Sequence, residues 1–283
     1  VQKSIFKLLI VAIILTGSCA TKVAAQGSLT GSVVAENFTK INLTEVGTTD
    51  WVNYYSTNNR KATGGSKISN LTLLSTDILR YYTNDARPLS WTDGTPTATA
   101  TSNTNGVYTK GVGNGFSLTV PAGKATSIVT VYVHGYAGTG TITAHLSDNS
   151  APDYTNASLT NTTAVFTGNY TFVFNAASGG QTLTITWKLA SGATGNIGLS
   201  GAALSIPPDT DAPTVPANLS STLISPKGFT LNWDASTDNE AVKEYDVYKD
   251  GVLYGSTATT SLEIKGLKSE MEYSMTVKAK DNA

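Results

Sequence analysis

The residues best suited to contact a ligand are aromatic side chains placed among polar, turn-forming neighbours. A sugar binds by laying its C–H face on an aromatic ring while nearby polar groups bond its hydroxyls. Two turn-rich segments offer such rings, one with Trp51, Tyr54 and Tyr55 and the other with Trp91 and Asp93. These residues are the candidates for a ligand platform, and the alternative for each ring is packing in the core or a satisfied position on the surface.

A second platform is indicated by alternation in the stretch from Trp91 to Leu146. Apolar residues recur there at every second position, which is typical of strands with one buried face. We predict a hairpin in which Val131 faces Ala144 and residues 135–140 form the connection. This register collects on the opposite face the side chains of Tyr132, His134 and His145. That face is either the solvated side of an antiparallel sheet or a ligand-facing surface.

Acidic residues give weak support for catalysis. Glycoside hydrolysis needs two carboxyls about 5 Å apart for retention or about 6.5–9.5 Å apart for inversion. Asp93 and Asp148 are flanked by turn-forming residues, and the chain contains no G-x-S-x-G motif. We therefore assign no catalytic residue and expect no enzyme activity within this chain.

A structural calcium ion is the cofactor that the sequence leaves open. Asp148 and Asp153 lie at the two ends of a loop rich in oxygen ligands, although a solvated loop explains the same residues. The chain has two histidines and one cysteine, which disfavours a histidine-rich zinc site and thiol chemistry. A net charge of −1 without a basic run excludes nucleic acid as an expected partner.

The first 25 residues have the pattern of a secretory signal peptide. Lys3 and Lys7 precede an apolar run that ends in small residues before Ala25. The run is too short to predict a membrane span. We expect an extracellular, monomeric protein, and the alternative is lipid anchoring at the cell surface through Cys19.

The remainder predicts an all-β protein with two tandem sandwiches. Short alternating strands separated by Gly, Asn and Thr turns fill residues 27–206, and Trp187 is expected in their core. Residues 207–216 contain four prolines and predict an extended linker. A second set of strands, spaced as in a sandwich, covers residues 217–283.

The second set resembles a fibronectin type III domain over residues 212–283. Trp233 stands where that family has its core tryptophan, and Tyr273 follows Leu267 where the family has its tyrosine corner. Asp250-Gly251 matches a tight hairpin turn. The resemblance implies an immunoglobulin-like spacer or adhesive module whose last strand is absent, so we expect the natural protein to continue past Ala283 with further modules, of which one could be catalytic.

The first set resembles non-catalytic β-sandwich modules of large secreted bacterial proteins. The resemblance rests on four motifs, at residues 47–51, 90–96, 113–116 and 143–148. It implies a jelly-roll, galactose-binding-like architecture that many carbohydrate-binding domains use. We therefore hypothesise that the chain is the non-catalytic N-terminal part of a secreted bacterial multi-domain protein. This part would bind polysaccharide and position further domains on it. The alternative is a structural spacer or a cell-surface adhesin segment.

Overall fold

The protein is nearly all β and forms two compact units. The structure, a computed structural model, describes residues 26–36 and 38–281. The chain divides between Pro207 and Pro208, within the segment predicted as a linker. The expected signal peptide, including Cys19, lies outside the described residues. No helix in the part of the chain that the structure describes has the length and apolarity needed to span a lipid bilayer.

The first unit is built from short strands and a few long ones. Its elements are β1 (Ser28–Ala35), β2 (Ile41–Asn42), α1 (Leu43–Val46), β3 (Asp50–Asn53), β4 (Asn59–Lys61), β5 (Thr72–Leu74), β6 (Arg80–Tyr82), β7 (Leu89–Trp91), β8 (Gly94–Thr95), β9 (Ala100–Asn103), β10 (Gly106–Lys110), β11 (Gly115–Ala122), β12 (Ser127–Leu146), β13 (Tyr154–Asn156), β14 (Thr160–Asn175), β15 (Gln181–Ser191) and β16 (Asn196–Ser205). The large sheet has the order β5-β11-β15-β12-β16-β3-β4-β8, with β1, β14, β13, β10 and β6 attached beside this path.

The predicted hairpin within residues 127–146 is wrong, because this segment is the single strand β12. Its first half pairs with β14 and β16, and its second half pairs with β15 and β13. Val131 therefore lies opposite Tyr170 and Ala202, and Ala144 lies opposite Ile185. The strand continues through the glycine-rich centre with a β-bulge between residues 136 and 138.

The glycines of this centre make room for rings where a turn was expected. A Cβ on Gly140 would stand 1.9 Å from the Trp187 ring. The prediction of the buried face is nevertheless correct, because the alternating apolar residues of both halves are all buried: Val129, Val131, Val133, Ile142, Ala144 and Leu146. The bulge shifts the alternation by one residue, so odd positions are buried before it and even positions after it.

These residues belong to one core that fills the first unit. Strands β11, β14 and β15 contribute the other large side chains, among them Phe116, Phe172 and Trp187. Trp187 is buried, as its alternation with Leu183 and Ile185 predicts. A smaller cluster, which we call the Trp51–Trp91 cluster, lies apart from this core and contains Leu43, Trp51, Leu89, Trp91, Tyr132 and Ala203.

The second unit has two three-stranded sheets. Strands β17 (Ala217–Ser225), β18 (Gly228–Asp234) and β21 (Ser261–Lys265) form one sheet, and β19 (Glu244–Lys249), β20 (Val252–Thr257) and β22 (Met275–Lys280) form the other. Trp233 is buried with its ring 5.5 Å from that of Tyr245. The Tyr273 hydroxyl accepts a hydrogen bond from the Lys268 backbone amide at 2.9 Å, which is the geometry of a tyrosine corner.

Candidate functional site

A groove of about 990 Å³ opens on the first unit where β6, β10, β12, β14 and β16 meet. This volume is near the upper end of the range for ligand pockets. Its lining mixes aromatic and polar side chains, among them Phe38, Tyr81, Tyr82, Asn84, Tyr108, His134, Tyr136, Thr167 and Asn196. The charged side chains of the lining are Asp85 and Lys110, so the groove presents no excess of one charge.

The sheet register sets the floor of the groove. Tyr108 on β10 lies opposite Gly198 on β16, and Gly198 lies opposite His134 on β12. His134 in turn lies opposite Thr167 on β14. Side chains of directly paired residues project on the same face of a sheet. The register thus places Tyr108, His134 and Thr167 in one row.

Gly198 is the position that lets the His134 ring lie across the sheet. A Cβ at Gly198 would stand 1.9 Å from Cε1 and 2.1 Å from Nε2 of His134. The ring therefore lies over the bare backbone of β16. Its orientation is fixed further by Tyr82, whose ring meets it edge-on with the centroids 4.3 Å apart.

A buried polar network supports the floor. The Tyr82 hydroxyl donates to Oδ2 of Asp85, and Oδ1 of Asp85 accepts from the backbone amide of Arg87. The Arg87 side chain is fully buried and donates to the Gly168 carbonyl, the Asn169 amide oxygen and the Ser200 hydroxyl. These bonds hold Tyr82 and the adjacent loop in one position, while Nε of Arg87 has no hydrogen-bond partner among the described residues.

Two polar atoms of the groove have no hydrogen-bond partner within the described residues. They are Nδ1 of His134 and the hydroxyl of Thr167, and both are shielded from solvent. Burial lowers the pKa of His134 to about 4, with Asp85 opposing the shift and Arg87 adding to it. The imidazole is therefore neutral near pH 7 and able to donate one hydrogen bond and accept another. A buried polar atom without a partner costs about 1–3 kcal/mol, so a ligand that bonds these atoms would gain affinity.

Exposed rings form the rim of the groove. Tyr81 and Tyr136 are each more than two-fifths exposed, and Phe38 is more than half exposed. Tyr55, one of the predicted ligand residues, is half-buried and touches Tyr81 edge-on at 5.4 Å. Of the predicted residues, His134 thus lines the groove and Tyr55 supports its rim.

The expectation that Trp51, Tyr54 and Trp91 form an exposed platform needs correction. All three are at most 1% exposed, so no ring face is open to a ligand. Trp51 and Trp91 pack against each other with the centroids 5.2 Å apart. The Tyr54 hydroxyl donates to the Ser69 carbonyl, and burial raises the pKa of Tyr54 far above its usual value. All three rings therefore belong to the interior of the first unit.

Asp93 and Tyr132 have structural contacts as well. Asp93 accepts hydrogen bonds from Nε1 of Trp51 and from the side chains of Thr44 and Lys61. Burial would raise the pKa of Asp93, but these bonds hold it below its usual value. Tyr132 is buried, and Arg87 lies over its ring at 5.3 Å.

The residues expected to bind calcium have other partners. Oδ1 of Asp148 accepts from the Ser150 backbone amide, and Oδ2 accepts from that of Ala177. Asp153 contacts His145 at 2.7 Å and is largely exposed. Within residues 26–36 and 38–281, neither aspartate belongs to a group of three or more His, Cys or carboxylate ligands that could share an ion. The structure therefore does not build the expected site in this loop.

Several groove residues were not found from the sequence. Tyr136 was placed in the expected connection, although it continues the alternation of Tyr132 and His134 and that signal could have identified it. Tyr81 and Tyr82 lie in a stretch without a sustained pattern. Thr167 and Tyr108 have nothing in their local sequence that marks them, since only the pairing of distant strands brings them together.

The fold and the groove define a class of protein: a chain of tandem β-sandwiches with an open aromatic groove on the first. Residues 211–283 match the family model of the fibronectin type III domain. This stretch is therefore a fibronectin type III domain, which confirms the resemblance drawn from Trp233 and Tyr273.

The curated relatives that match include two chitinases and an exoglucanase. Chitinase Chi52 of Paenibacillus xylanexedens is 50% identical over 76 residues, which are 27% of this chain and 14% of the relative. Chitinase A1 of Niallia circulans is 39% identical over 132 residues, 44% of this chain and 18% of the relative. Exoglucanase B of Cellulomonas fimi is 39% identical over 97 residues, 31% of this chain and 9% of the relative.

The chain thus spans less than a fifth of the length of each of these relatives. Residues 211–283 form about a quarter of the chain. The match to Chitinase A1 covers more than that, so it includes residues before position 211.

Proposed function

We propose that the first unit binds a neutral carbohydrate in the groove around His134. The observation that carries this proposal is the combination of open aromatic faces on Tyr81 and Tyr136 with the unpartnered polar atoms of His134 and Thr167. Rings supply the apolar surface that a sugar face needs, and the neutral imidazole and the hydroxyl supply bonds to sugar hydroxyls or an acetamido group.

The charge of the groove favours a neutral ligand. Asp85 is already bonded to Tyr82 and Arg87, and Lys110 is the other charged residue of the lining. An anionic or cationic ligand would find no cluster of opposite charge there. A polysaccharide without charged groups fits this surface better than a nucleic acid or an acidic glycan.

We also propose that the chain is a non-catalytic, extracellular part of a larger bacterial protein that acts on polysaccharide. The fibronectin type III domain and the names of the relatives support this role. In such a protein, the first unit would hold the polymer while domains outside this chain carry out the chemistry.

Affinity electrophoresis tests the groove. Native gels containing glycol chitin, hydroxyethyl cellulose or soluble starch should retard the chain, and insoluble chitin or cellulose should retain it. Tyr136→Ala removes an aromatic ring that the ligand would contact, and His134→Gln alters a shielded polar contact. Each should weaken retention about tenfold, which corresponds to about 1.4 kcal/mol of binding free energy. Tyr248→Ala, which removes a half-buried ring from the second unit, is the matched control and should leave retention unchanged.

Two negative results of this experiment would have different meanings. If none of these glycans retards or retains the parent chain, carbohydrate binding is wrong and a spacer role is favoured. If the parent is retained but the groove variants are retained equally, the chain binds sugar at another surface.

A further inference from the structure

Three aspartates of the second unit converge from separate parts of the chain. Asp209 precedes β17, Asp238 lies in the loop between β18 and β19, and Asp281 follows β22. One carboxylate oxygen from each lies within 4.8 Å of the others. Like charges at this separation repel one another unless a cation lies between them.

A second observation points to such a cation. Oδ2 of Asp209 and Oδ2 of Asp238 each expose less than 1 Å² and have no hydrogen-bond partner among the described residues. An ionised oxygen that is hidden from water and has no donor is strongly unfavourable, because nothing replaces its hydration. A bound metal ion would supply the missing partner for both atoms at once.

The other oxygen of each carboxylate accepts local hydrogen bonds. Oδ1 of Asp209 accepts from the Asn239 side-chain amide and from the Asp211 backbone amide. Oδ1 of Asp238 accepts from the Glu240 backbone amide at 2.9 Å. In both residues local bonds fix one oxygen and leave the other unpaired.

No lysine or arginine among the described residues forms an ion pair with Asp209 or Asp238. Lys280, beside Asp281 in the sequence, directs its amine to Glu244 and Asp246. The charge of the two unpaired oxygens is therefore not neutralised by a described basic side chain.

We propose that Asp209, Asp238 and Asp281 bind one Ca²⁺ ion. All three side chains offer oxygen, and the second unit contains neither His nor Cys, which disfavours zinc and other metals that prefer nitrogen or sulfur. Oxygens that share one Ca²⁺ at about 2.3–2.6 Å lie up to about 5 Å apart, in agreement with the cluster. Backbone carbonyls and water would complete the shell. Mg²⁺ demands a stricter octahedron that three loop segments are poorly suited to provide.

The position of the ion gives it a structural role. It would join the segment before β17 to the β18–β19 loop and to the end of β22. The Thr214 backbone amide already donates to the Thr237 carbonyl, so the same segment and loop are in contact beside the cluster. Calcium would therefore fix the proline-rich segment onto the domain that follows it.

Isothermal titration of the chelator-treated full chain with CaCl₂ tests the proposal. One ion should bind per chain, and Asp209→Asn and Asp238→Asn should each weaken binding by at least about tenfold, because affinity depends on the charge of the ligand set. Asn retains the Oδ1 acceptor of each residue, so the local bonds survive. Saturating calcium should also raise the melting temperature of the second unit by at least about 5 °C in the parent and much less in the variants.

Asp148→Asn is the matched control. Asp148 also accepts from the backbone amide two residues later, and it belongs to the loop first expected to bind calcium. Its substitution should leave calcium binding unchanged. Without calcium, the melting temperature of Asp238→Asn should be no lower than that of the parent, since the substitution removes repulsion among the carboxylates. If the Asp238 carboxylate were purely structural, the substitution would lower the melting temperature.

Three results would overturn the proposal: no binding at millimolar calcium, equal binding by the parent and both cluster variants, or tighter binding of Mg²⁺ than of Ca²⁺. Loss of binding in Asp148→Asn with retention in Asp238→Asn would move the site to the first unit.

Discussion

The Trp51–Trp91 cluster and the groove around His134 are both rich in aromatic side chains, yet ring faces meet solvent in the groove alone. In the cluster every indole nitrogen is satisfied, because Trp51 donates to Asp93 and Trp91 donates to the Thr97 carbonyl. In the groove, His134 and Thr167 retain unpartnered atoms. Polar neighbours in sequence therefore do not mark an exposed ring, whereas unsatisfied polar atoms beside exposed rings mark a surface that can bind a ligand.

Replacing a ring of the buried cluster should have the largest effect on stability. Trp51→Ala should lower the free energy of unfolding of the first unit by about 3–5 kcal/mol, since it opens a cavity and leaves Asp93 without one donor. Urea unfolding followed by circular dichroism measures this. Val112→Ala, at an exposed apolar position of the same unit, is the control and should change the value by less than about 0.5 kcal/mol. A loss below about 1 kcal/mol for Trp51→Ala would contradict its role in a core.

The second largest effect should come from acid, which should lower stability through the groove residue His134. The pKa of His134 lies at about 4 in the folded protein and at 6.5 ordinarily, so between these values the unfolded chain binds more protons than the folded one. Stability should therefore fall as the pH decreases from 6.5 towards 4, by up to about 3 kcal/mol.

His134→Gln should lack this part of the pH dependence while keeping His145. Urea unfolding of both proteins at pH 7, 5 and 4 gives the comparison. If the unfolding free energies of parent and variant changed equally with pH, the imidazole would not be shielded as described.

A methyl group under the His134 ring should have an intermediate effect. Gly198→Ala would place a Cβ within 2.1 Å of two ring atoms, so the ring must move or the strands must separate. We expect a loss of about 1–3 kcal/mol in unfolding free energy, together with weaker glycan retention. Gly123→Ala is the control, since nothing lies within 4 Å of its added Cβ. If both variants had the same stability and the same glycan retention, Gly198 would have no special role in the groove.

The smallest effect on stability should come from the rim. Tyr81→Ala removes an exposed ring whose aromatic contact is the edge of Tyr55, and it should cost about 1 kcal/mol or less. Glycan retention, measured on the same protein, should nevertheless fall. Unchanged retention would exclude Tyr81 from the binding surface, and a large loss of stability would place it with the buried cluster.

The fold was predictable wherever apolar residues repeat with the period of a strand. Alternation identified the buried faces of Val129, Val131 and Val133 and the burial of Trp187, because side chains of a strand point to opposite sides in turn. The fibronectin type III domain was recognisable from Trp233 and Tyr273, since each residue stands at a fixed place in that family's pattern of strands. Composition, net charge and the scarcity of histidine and cysteine depend on the sequence alone.

The tertiary structure decided the strand partners, and with them the groove. Gly135 and Gly140 are typical of a turn, but glycine equally permits close approach of a neighbouring ring. The Phe166 ring lies against Gly135 and the Trp187 ring lies against Gly140. Trp51 and Trp91 are separated by 40 residues, so their mutual burial depends on contacts that no local window contains. The same is true of His134, Gly198 and Thr167, and of Asp209, Asp238 and Asp281, because distant pairing and loop convergence bring these side chains together.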